Sequence, residues 1–176
     1  MNRNWRDINY LAQGTLRQRA AYQALQSTQV LAKLAAFDPV LAGTIPLNID
    51  IAGSDLDIIC YAPDLEQFAR VIRLHFSDYP DFACQKTVLQ LPTVVARFIA
   101  TDFEFEIFGQ PCPVEQQNAV RHLEIEARLL DIGGEGVRQK IRQLKQAGLK
   151  TEPAFAALFV LTGDPYETLL ALETGL

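Results

Sequence analysis

Alternating acidic residues in two short apolar segments are the clearest sign of chemistry in this sequence. Residues 54–59 read SDLDII, and residues 103–108 read FEFEIF. In an extended strand successive side chains point to opposite faces, so Asp55 and Asp57 share one face, with Cα atoms roughly 7 Å apart. Asp is depleted in strands, and adjacent like charges repel each other. A divalent cation would reverse this cost, because Mg²⁺ binds carboxylate oxygens and phosphates together.

The second acidic pair, Glu104 and Glu106, shares a strand face in the same way. If the two acidic strands are neighbours, three or four carboxylates converge on one point, where repulsion disfavours them unless a metal neutralises their charge. Strand parity alone does not separate Glu104 from Glu106 as the third acid. A polar strand face or hairpin face exposed to water is the alternative interpretation of both pairs.

The elements that position these acids follow from caps, periodicity and breaks. A capping box at Thr15 and Gln18 predicts a helix that runs to about residue 36. Asp64 predicts the start of a second helix that ends near residue 76, and Thr101-Asp102 predicts a hairpin turn. Apolar stretches predict strands or extended segments at 40–43, 47–52, 55–61, 82–90, 94–100 and 103–108.

From residue 113 onward the pattern is typical of helices. Periodicity and glycine breaks predict helices at about 114–131, 134–147, 152–161 and 165–174. Asp164 followed by Pro165 predicts a cap and a first helical residue at the last of these. We therefore expect an α+β fold in one domain over residues 1–176, with its core at about 37–110 and a helical C-terminal segment at about 113–176.

Composition limits the classes of protein to which the chain could belong. Sixteen Lys and Arg against 21 Asp and Glu give a net charge of -5, which argues against an extended nucleic-acid surface. Three cysteines without metal-ligand spacing indicate reduced thiols in a cytoplasmic protein. The longest apolar stretch, residues 154–161, is too short to span a bilayer, so we expect no membrane partner.

Several motifs together resemble a known superfamily. Gly43-Thr44, a ten-residue spacer, the acid-hydrophobe-acid at 55–57 and a later strand acid resemble the nucleotidyltransferase superfamily of the DNA polymerase beta type. The resemblance implies a nucleotidyltransferase-like mixed sheet with flanking helices and a helical C-terminal segment. More closely, the chain is similar to a small bacterial nucleotidyltransferase-like family of unknown function, through the runs GTIP at 43–46, SDLDIIC at 54–60, EIFGQ at 106–110 and GDPY at 163–166.

The resemblance implies a two-metal transfer of a nucleoside monophosphate, with AMP favoured. Asp55 and Asp57 would hold two Mg²⁺ or Mn²⁺ ions together with a third acid. The run EIFGQ assigns that role to Glu106, with Glu104 as a further candidate metal ligand. The donor would be a nucleoside triphosphate (NTP), with ATP favoured. The acceptor would be a hydroxyl or amine on an unknown small molecule or protein.

The resemblance also implies a phosphate-binding role for three small residues. Gly43 would let the backbone approach a phosphate closely, and the hydroxyls of Thr44 and Ser54 would donate hydrogen bonds to it. Turn or capping roles for the two hydroxyl residues remain open. The sequence departs from the superfamily at Ile45-Pro46, which disfavours the helical turn that usually follows the glycine pair.

Candidate cations for the phosphates lie on several elements. Arg97 lies on the predicted central strand, Arg121 on the following helix, and Lys33 and Arg17 on the first helix. His122 and Arg121 would face the cleft beside the acids, where Arg pairs with phosphate and His assists proton transfer. A solvated helix face is the alternative. A catalytically inactive nucleotide-binding or protein-interaction module on the same fold is the alternative function.

Overall fold

Five strands form one mixed sheet in the part of the chain that the structure, a computed structural model, describes: residues 4–175. In chain order the strands are β1 (Val40–Ala42), β2 (Leu56–Tyr61), β3 (Ala83–Val88), β4 (Pro92–Ala100) and β5 (Phe103–Gln110). Their order across the sheet is β1-β2-β5-β4-β3. The central pair, β2 and β5, is parallel, and the other neighbours are antiparallel.

Helices precede, interrupt and follow these strands. They are α1 (Leu16–Thr28), α2 (Val30–Lys33), α3 (Leu65–Phe76), α4 (Asn118–Gln146), α5 (Thr151–Leu158) and α6 (Pro165–Leu170). Shorter 3-10 turns occupy Asn9–Gln13, Ala35–Phe37, Val114–Gln116 and Ala171–Thr174. No helix within residues 4–175 combines the length and the apolar character that crossing a bilayer requires.

The two faces of the sheet are covered by different helices. On one face Leu56 and Ile58 of β2 join α1 and α3 in a buried cluster that includes Leu25 and Phe68. On the other face Ile59 packs with residues of the C-terminal helices. Because side chains alternate along a strand, Asp57 of β2 and Glu106 of β5 lie on this second face, beneath the C-terminal helices. The α+β fold is thus built around the two acidic strands.

Most predicted elements are present, and two differ. The helix predicted from residue 15 to about 36 ends at Thr28, because Gln29 adopts a left-handed conformation with φ of 55°. The prediction of an extended segment at 47–52 is wrong. These residues form turns and irregular loop, and the Asn48 amide donates to the Ile45 carbonyl. A strand there has no neighbour to pair with, whereas tight turns let the chain reverse between the antiparallel strands β1 and β2.

The C-terminal helices follow the predicted breaks. The helices predicted at 114–131 and 134–147 are two arms of α4, which is kinked at Gly134 with φ of 64°. The kink turns the second arm back toward the loop between β1 and β2, where Lys145 Nζ donates to the Ile49 carbonyl. Asp164 caps α6 by accepting hydrogen bonds from the Tyr166 and Glu167 amides, with Pro165 in the first turn, as predicted.

Candidate functional site

The register of the central strands brings the acids together. Asp57 on β2 lies opposite Glu106 on β5, and Glu106 lies opposite Arg97 on β4. Asp55, Asp57 and Glu106 line one cavity of about 580 Å³ between the sheet and the C-terminal helices. Glu104 is more exposed and lines a separate, neighbouring cavity. The structure therefore places three of the four predicted acids in one cavity, and Glu104 outside it.

Asp57 is the most perturbed of these acids. Burial, together with the nearby carboxylates of Asp55 and Glu106, raises the pKa of Asp57 to about 7. Its carboxylate accepts no hydrogen bond from any residue in the described range 4–175. A half-buried carboxylate that lacks a donor and lies near two other acids is unfavourable by itself, and a bound cation would make it favourable.

Gly43 fits against this carboxylate. A Cβ atom on Gly43 would lie 2.1 Å from Asp57 Oδ2, and the glycine has φ of +77°. Its neighbour Ala42 lies opposite Asp57 in the β1–β2 pair. A residue with a side chain would both strain the backbone and displace the carboxylate, so the glycine leaves room for Asp57.

The loop between β1 and β2 is held by its own hydroxyl groups and by α1. The Thr44 hydroxyl donates to Ser54 Oγ across 3.3 Å, and Ser54 Oγ also accepts from the Ile51 amide at 3.0 Å. The buried Gln18 Nε2 donates to the Ile45 carbonyl at 2.9 Å. Both hydroxyl residues line the cavity, and Ser54 keeps its own hydrogen available to a ligand.

Glu106 is already paired with one cation of the protein. The Arg97 guanidinium donates from Nε to Glu106 Oε2 at 2.7 Å, and Arg97 also lies 3.7 Å from Glu104. Both donor nitrogens of Arg97 contact the same oxygen, so Glu106 Oε1 is left without a partner among the described residues. Arg97, which was predicted to bind phosphate, thus forms an ion pair with Glu106, the predicted third metal ligand.

The carboxylates suit a hard cation, although they are not arranged around one. Among residues 4–175, no group of three His, Cys, Asp or Glu side chains forms a ready metal site. The donor set nevertheless fits Mg²⁺ or Mn²⁺, which prefer carboxylate oxygens. Asp57 has no competing donor and Glu106 has a free oxygen, so both carboxylates keep oxygens with which an ion could bind.

Helices α4 and α5 form the opposite wall of the cavity. His122 lines the wall, as predicted for a residue facing the cleft; its Nε2 donates to the Tyr166 carbonyl at 2.9 Å, and its Nδ1 lies 3.7 Å from Glu152. Contrary to expectation, Arg121 does not line the cavity. It points along the other side of α4, where it donates to Glu173 at 2.6 Å.

The other two candidate cations on the N-terminal helices are also outside the cavity lining. Arg17 stacks over the Phe103 ring at 3.9 Å and donates to the Ser54 carbonyl at 3.3 Å. Lys33 lies over the Phe76 ring. Their predicted contact with phosphate therefore has no geometric support, and Arg17 instead holds the loop that carries Ser54.

Four charged residues of this wall were missed by the sequence reasoning: Glu126, Lys145, Lys150 and Glu152. In a straight helix Glu126 and Lys145 would be roughly 28 Å apart. The kink at Gly134 brings them to one cavity. Glu126 could have been found, because it follows His122 by four residues and so shares its helix face. Lys145 and Glu152 have no comparable local signal.

Glu126 is only 4% exposed, and Lys145 is 8% exposed. Burial, and secondarily Glu152, raises the pKa of Glu126 well above its ordinary value, while Lys145 opposes this shift. Burial lowers the pKa of Lys145, whose Nζ donates to the Ile49 carbonyl at 3.1 Å. The wall thus contains two groups, Glu126 and Lys145, whose pKa values are shifted mainly by burial and not by the acids on the sheet.

A family model described as "Domain of unknown function (DUF4269)" matches residues 23–172, which is most of the chain. The chain belongs to this DUF4269 family. The match confirms the expected resemblance to a family without a known function. No curated protein sequence matches the chain.

Solved structures similar to this DUF4269 protein come from larger polymerases. A Cid1 poly(U) polymerase with bound Mg 3'-dATP has a TM-score of 0.58 at 10% identity, covering 92% of this chain and 52% of its own. The GLD-2/RNP-8 complex has a TM-score of 0.54 at 15% identity, covering 89% and 64%. The polymerase core of TRAMP, an RNA surveillance complex, has a TM-score of 0.51 at 13% identity, covering 95% and 52%.

These similarities confirm the predicted nucleotidyltransferase-like fold. At 10% to 15% identity they concern the fold alone. The chain spans between about half and two thirds of the length of these three structures.

Proposed function

We propose that this DUF4269 protein is a metal-dependent nucleotidyltransferase that moves a nucleoside monophosphate, with AMP favoured, from an NTP to a hydroxyl or amine of an acceptor. The observation that carries the proposal is Asp57: a half-buried carboxylate without a hydrogen-bond donor, near two other acids, in a cavity. Acids in this arrangement are costly to the free protein, and a cation with bound phosphates would offset the cost.

Asp55, Asp57 and the free Oε1 of Glu106 would hold Mg²⁺ or Mn²⁺. Such ions would supply positive charge that neutralises the NTP phosphates and stabilises the charge that develops during transfer. The chain's own contribution is to bind and orient the NTP. The Ser54 hydroxyl and the Lys150 ammonium, both in the cavity lining, are available to donate to phosphate oxygens.

The transfer itself needs little from the protein beyond orientation. The acceptor oxygen or nitrogen attacks the α-phosphorus and forms a new P–O or P–N bond. The bond from the α-phosphorus to the bridging oxygen breaks, and pyrophosphate leaves with the electron pair. The acceptor's proton passes to water at the open side of the cavity. Holding the attacking and leaving groups in line is the main source of rate.

The Arg97–Glu106 ion pair favours one alternative function. A guanidinium already places positive charge on the third acid, as a metal would. A catalytically inactive module that binds nucleotides or proteins on the same fold would use this charge permanently. In such a module the remaining acids would bind no divalent ion, and nucleotide binding would not depend on metal.

Thermal unfolding with Mg²⁺ or Mn²⁺ and each NTP, separately and together, tests the proposal. We expect a nucleotide to raise the unfolding midpoint only when metal is present, because binding to the folded state stabilises it. The Asp55→Asn/Asp57→Asn variant should lose this shift. The Asp78→Asn/Asp81→Asn variant, which removes two exposed acids, should keep it.

Turnover then separates the enzyme from the inactive module. Pyrophosphate release that Asp57→Asn abolishes while the fold is retained supports transfer. Metal-independent nucleotide binding, or no shift with any combination of metal and NTP, would contradict the proposed function and favour the inactive module.

A further inference from the structure

We infer that the acceptor carries an ammonium group, and that Glu126 and Glu152 bind it at the helical wall of the cavity. This inference rests on the proposed function in treating the bound amine as an acceptor. Its structural basis is separate, because it concerns α4 and α5 rather than the acids on the sheet. The class of acceptor it points to is an amino alcohol or a polyamine.

Glu126 is a buried carboxylate on the helical wall. It lines the cavity at 4% exposure, and it has no hydrogen bond or ion pair to any residue within 4–175. Glu is almost never fully buried unless it is paired, and nearly all buried polar groups have a partner. An unpaired carboxylate on a cavity wall is therefore best explained by a partner that enters the cavity.

Glu152 supplies a second carboxylate on the same wall. Its nearest partner is His122 Nδ1 at 3.7 Å, longer than a hydrogen bond. The other ring nitrogen of His122 is committed to the Tyr166 carbonyl. The Glu152 carboxylate is close enough to raise the pKa of Glu126. A cation between them would be attracted to both.

Lys145 does not already fill this role. Its Nζ donates to the Ile49 carbonyl at 3.1 Å, and it forms no ion pair with a described carboxylate. The lysine is therefore held on the loop side of the cavity, where it moderates the charge of Glu126 without satisfying its oxygens. Within residues 4–175, no side chain or amide therefore donates a hydrogen bond to the Glu126 carboxylate.

The cavity that both groups of acids line also has apolar walls. Leu123 and Leu149 on the helical side, and Ile59 and Phe108 on the sheet side, line the same cavity. An aliphatic body would cover these side chains while its ammonium group reaches Glu126. The ammonium keeps its protons and does not react. A second hydroxyl or unprotonated amine of the same molecule would approach Asp57 and attack the α-phosphorus.

A matched pair of probes tests the inference by binding alone. Isothermal titration compares 1,4-diaminobutane with 1,4-butanediol, which has the same chain and no charge, in saturating MgCl₂ so that the acids on the sheet are occupied. We expect the diamine to bind and the diol not to bind measurably. Glu126→Gln and Glu152→Gln should each weaken diamine binding by about tenfold, since each removes a charged hydrogen bond.

Control variants make the result specific to this wall. Glu167→Gln removes an equal charge from an exposed position of α6 and should bind the diamine as the wild type does. Because Gln leaves no buried charge at position 126, Glu126→Gln should fold at least as stably as the wild type.

Diamine binding that is no tighter than diol binding, or that survives Glu126→Gln unchanged, would overturn the inference. So would diamine binding that is lost when MgCl₂ is raised from zero to saturation, since the amine would then occupy the acids on the sheet. The metal and NTP titrations report separately on transfer. Amine binding at Glu126 without metal-dependent NTP binding would retain the cation site and reject the transferase.

Discussion

Gly43 and Asp57 are fitted to each other across the β1–β2 pair: a Cβ on the glycine would lie 2.1 Å from the carboxylate oxygen Oδ2. The contact explains why a residue without a side chain precedes the loop. Resemblance suggested that the glycine makes room for phosphate, whereas the structure shows that it first makes room for an acid. Backbone conformation and site geometry thus depend on one residue.

The first prediction concerns Gly43→Ala. We expect it to lower the free energy of unfolding by more than the roughly 1–2 kcal/mol of a positive-φ alanine, because the new Cβ also displaces Asp57. Metal-dependent NTP binding should be lost. Gly53→Ala is the matched control, since Gly53 has φ of +84° and no atom within 4 Å of its added Cβ. Urea unfolding and NTP titration measure both effects, and equal losses in the two variants would contradict the fitted contact.

The second prediction is a pH dependence caused by Asp57. Its pKa of about 7 in the folded protein exceeds the ordinary value of 3.8. Between about pH 4 and pH 7 the folded state keeps a proton that the unfolded chain releases, so this group's contribution to stability decreases as pH rises. Relative to the wild type, Asp57→Asn should therefore gain stability across this range, by up to about 4 kcal/mol.

Urea unfolding in chelator at a series of pH values measures this difference. Asp81→Asn, which removes an exposed acid, controls for the general loss of one negative charge. Added Mg²⁺ should stabilise the wild type more than Asp57→Asn at pH 8. A stability difference between wild type and Asp57→Asn that is constant from pH 4 to pH 7 would show that Asp57 ionises as an ordinary carboxylate.

The third prediction concerns the ion pair between Arg97 and Glu106. Arg97→Gln removes a guanidinium that competes with a metal for the third acid, so Mg²⁺ should bind about two- to fivefold more tightly. The effect is small because the side chain of Arg97 is 57% exposed. Arg121→Gln, whose arginine pairs with Glu173 outside the cavity, should bind Mg²⁺ as the wild type does. Weaker Mg²⁺ binding in Arg97→Gln would show that the arginine supports the ion.

The positions of the acids within their strands were predictable from sequence. Alternation puts Asp57 on the face opposite Leu56 and Ile58, since strand geometry is local, whereas Asp55 lies one residue before the strand. The cap at Asp64 and the break at Gly134 are equally local signals, and both are present. The extended assignment of 47–52 was wrong, because apolar residues in a turn and in a strand have the same local pattern.

Sequence by itself determined which residues could bind a metal and the family to which they point. Only the tertiary structure decided which acids share a cavity: the β2–β5 register places Glu106 beside Asp57 and leaves Glu104 outside. Only the kinked helix decided that Glu126 and Lys145 join that cavity. The reason is physical, because strand register and helix docking are set by burial of apolar faces between distant segments, which no local periodicity records.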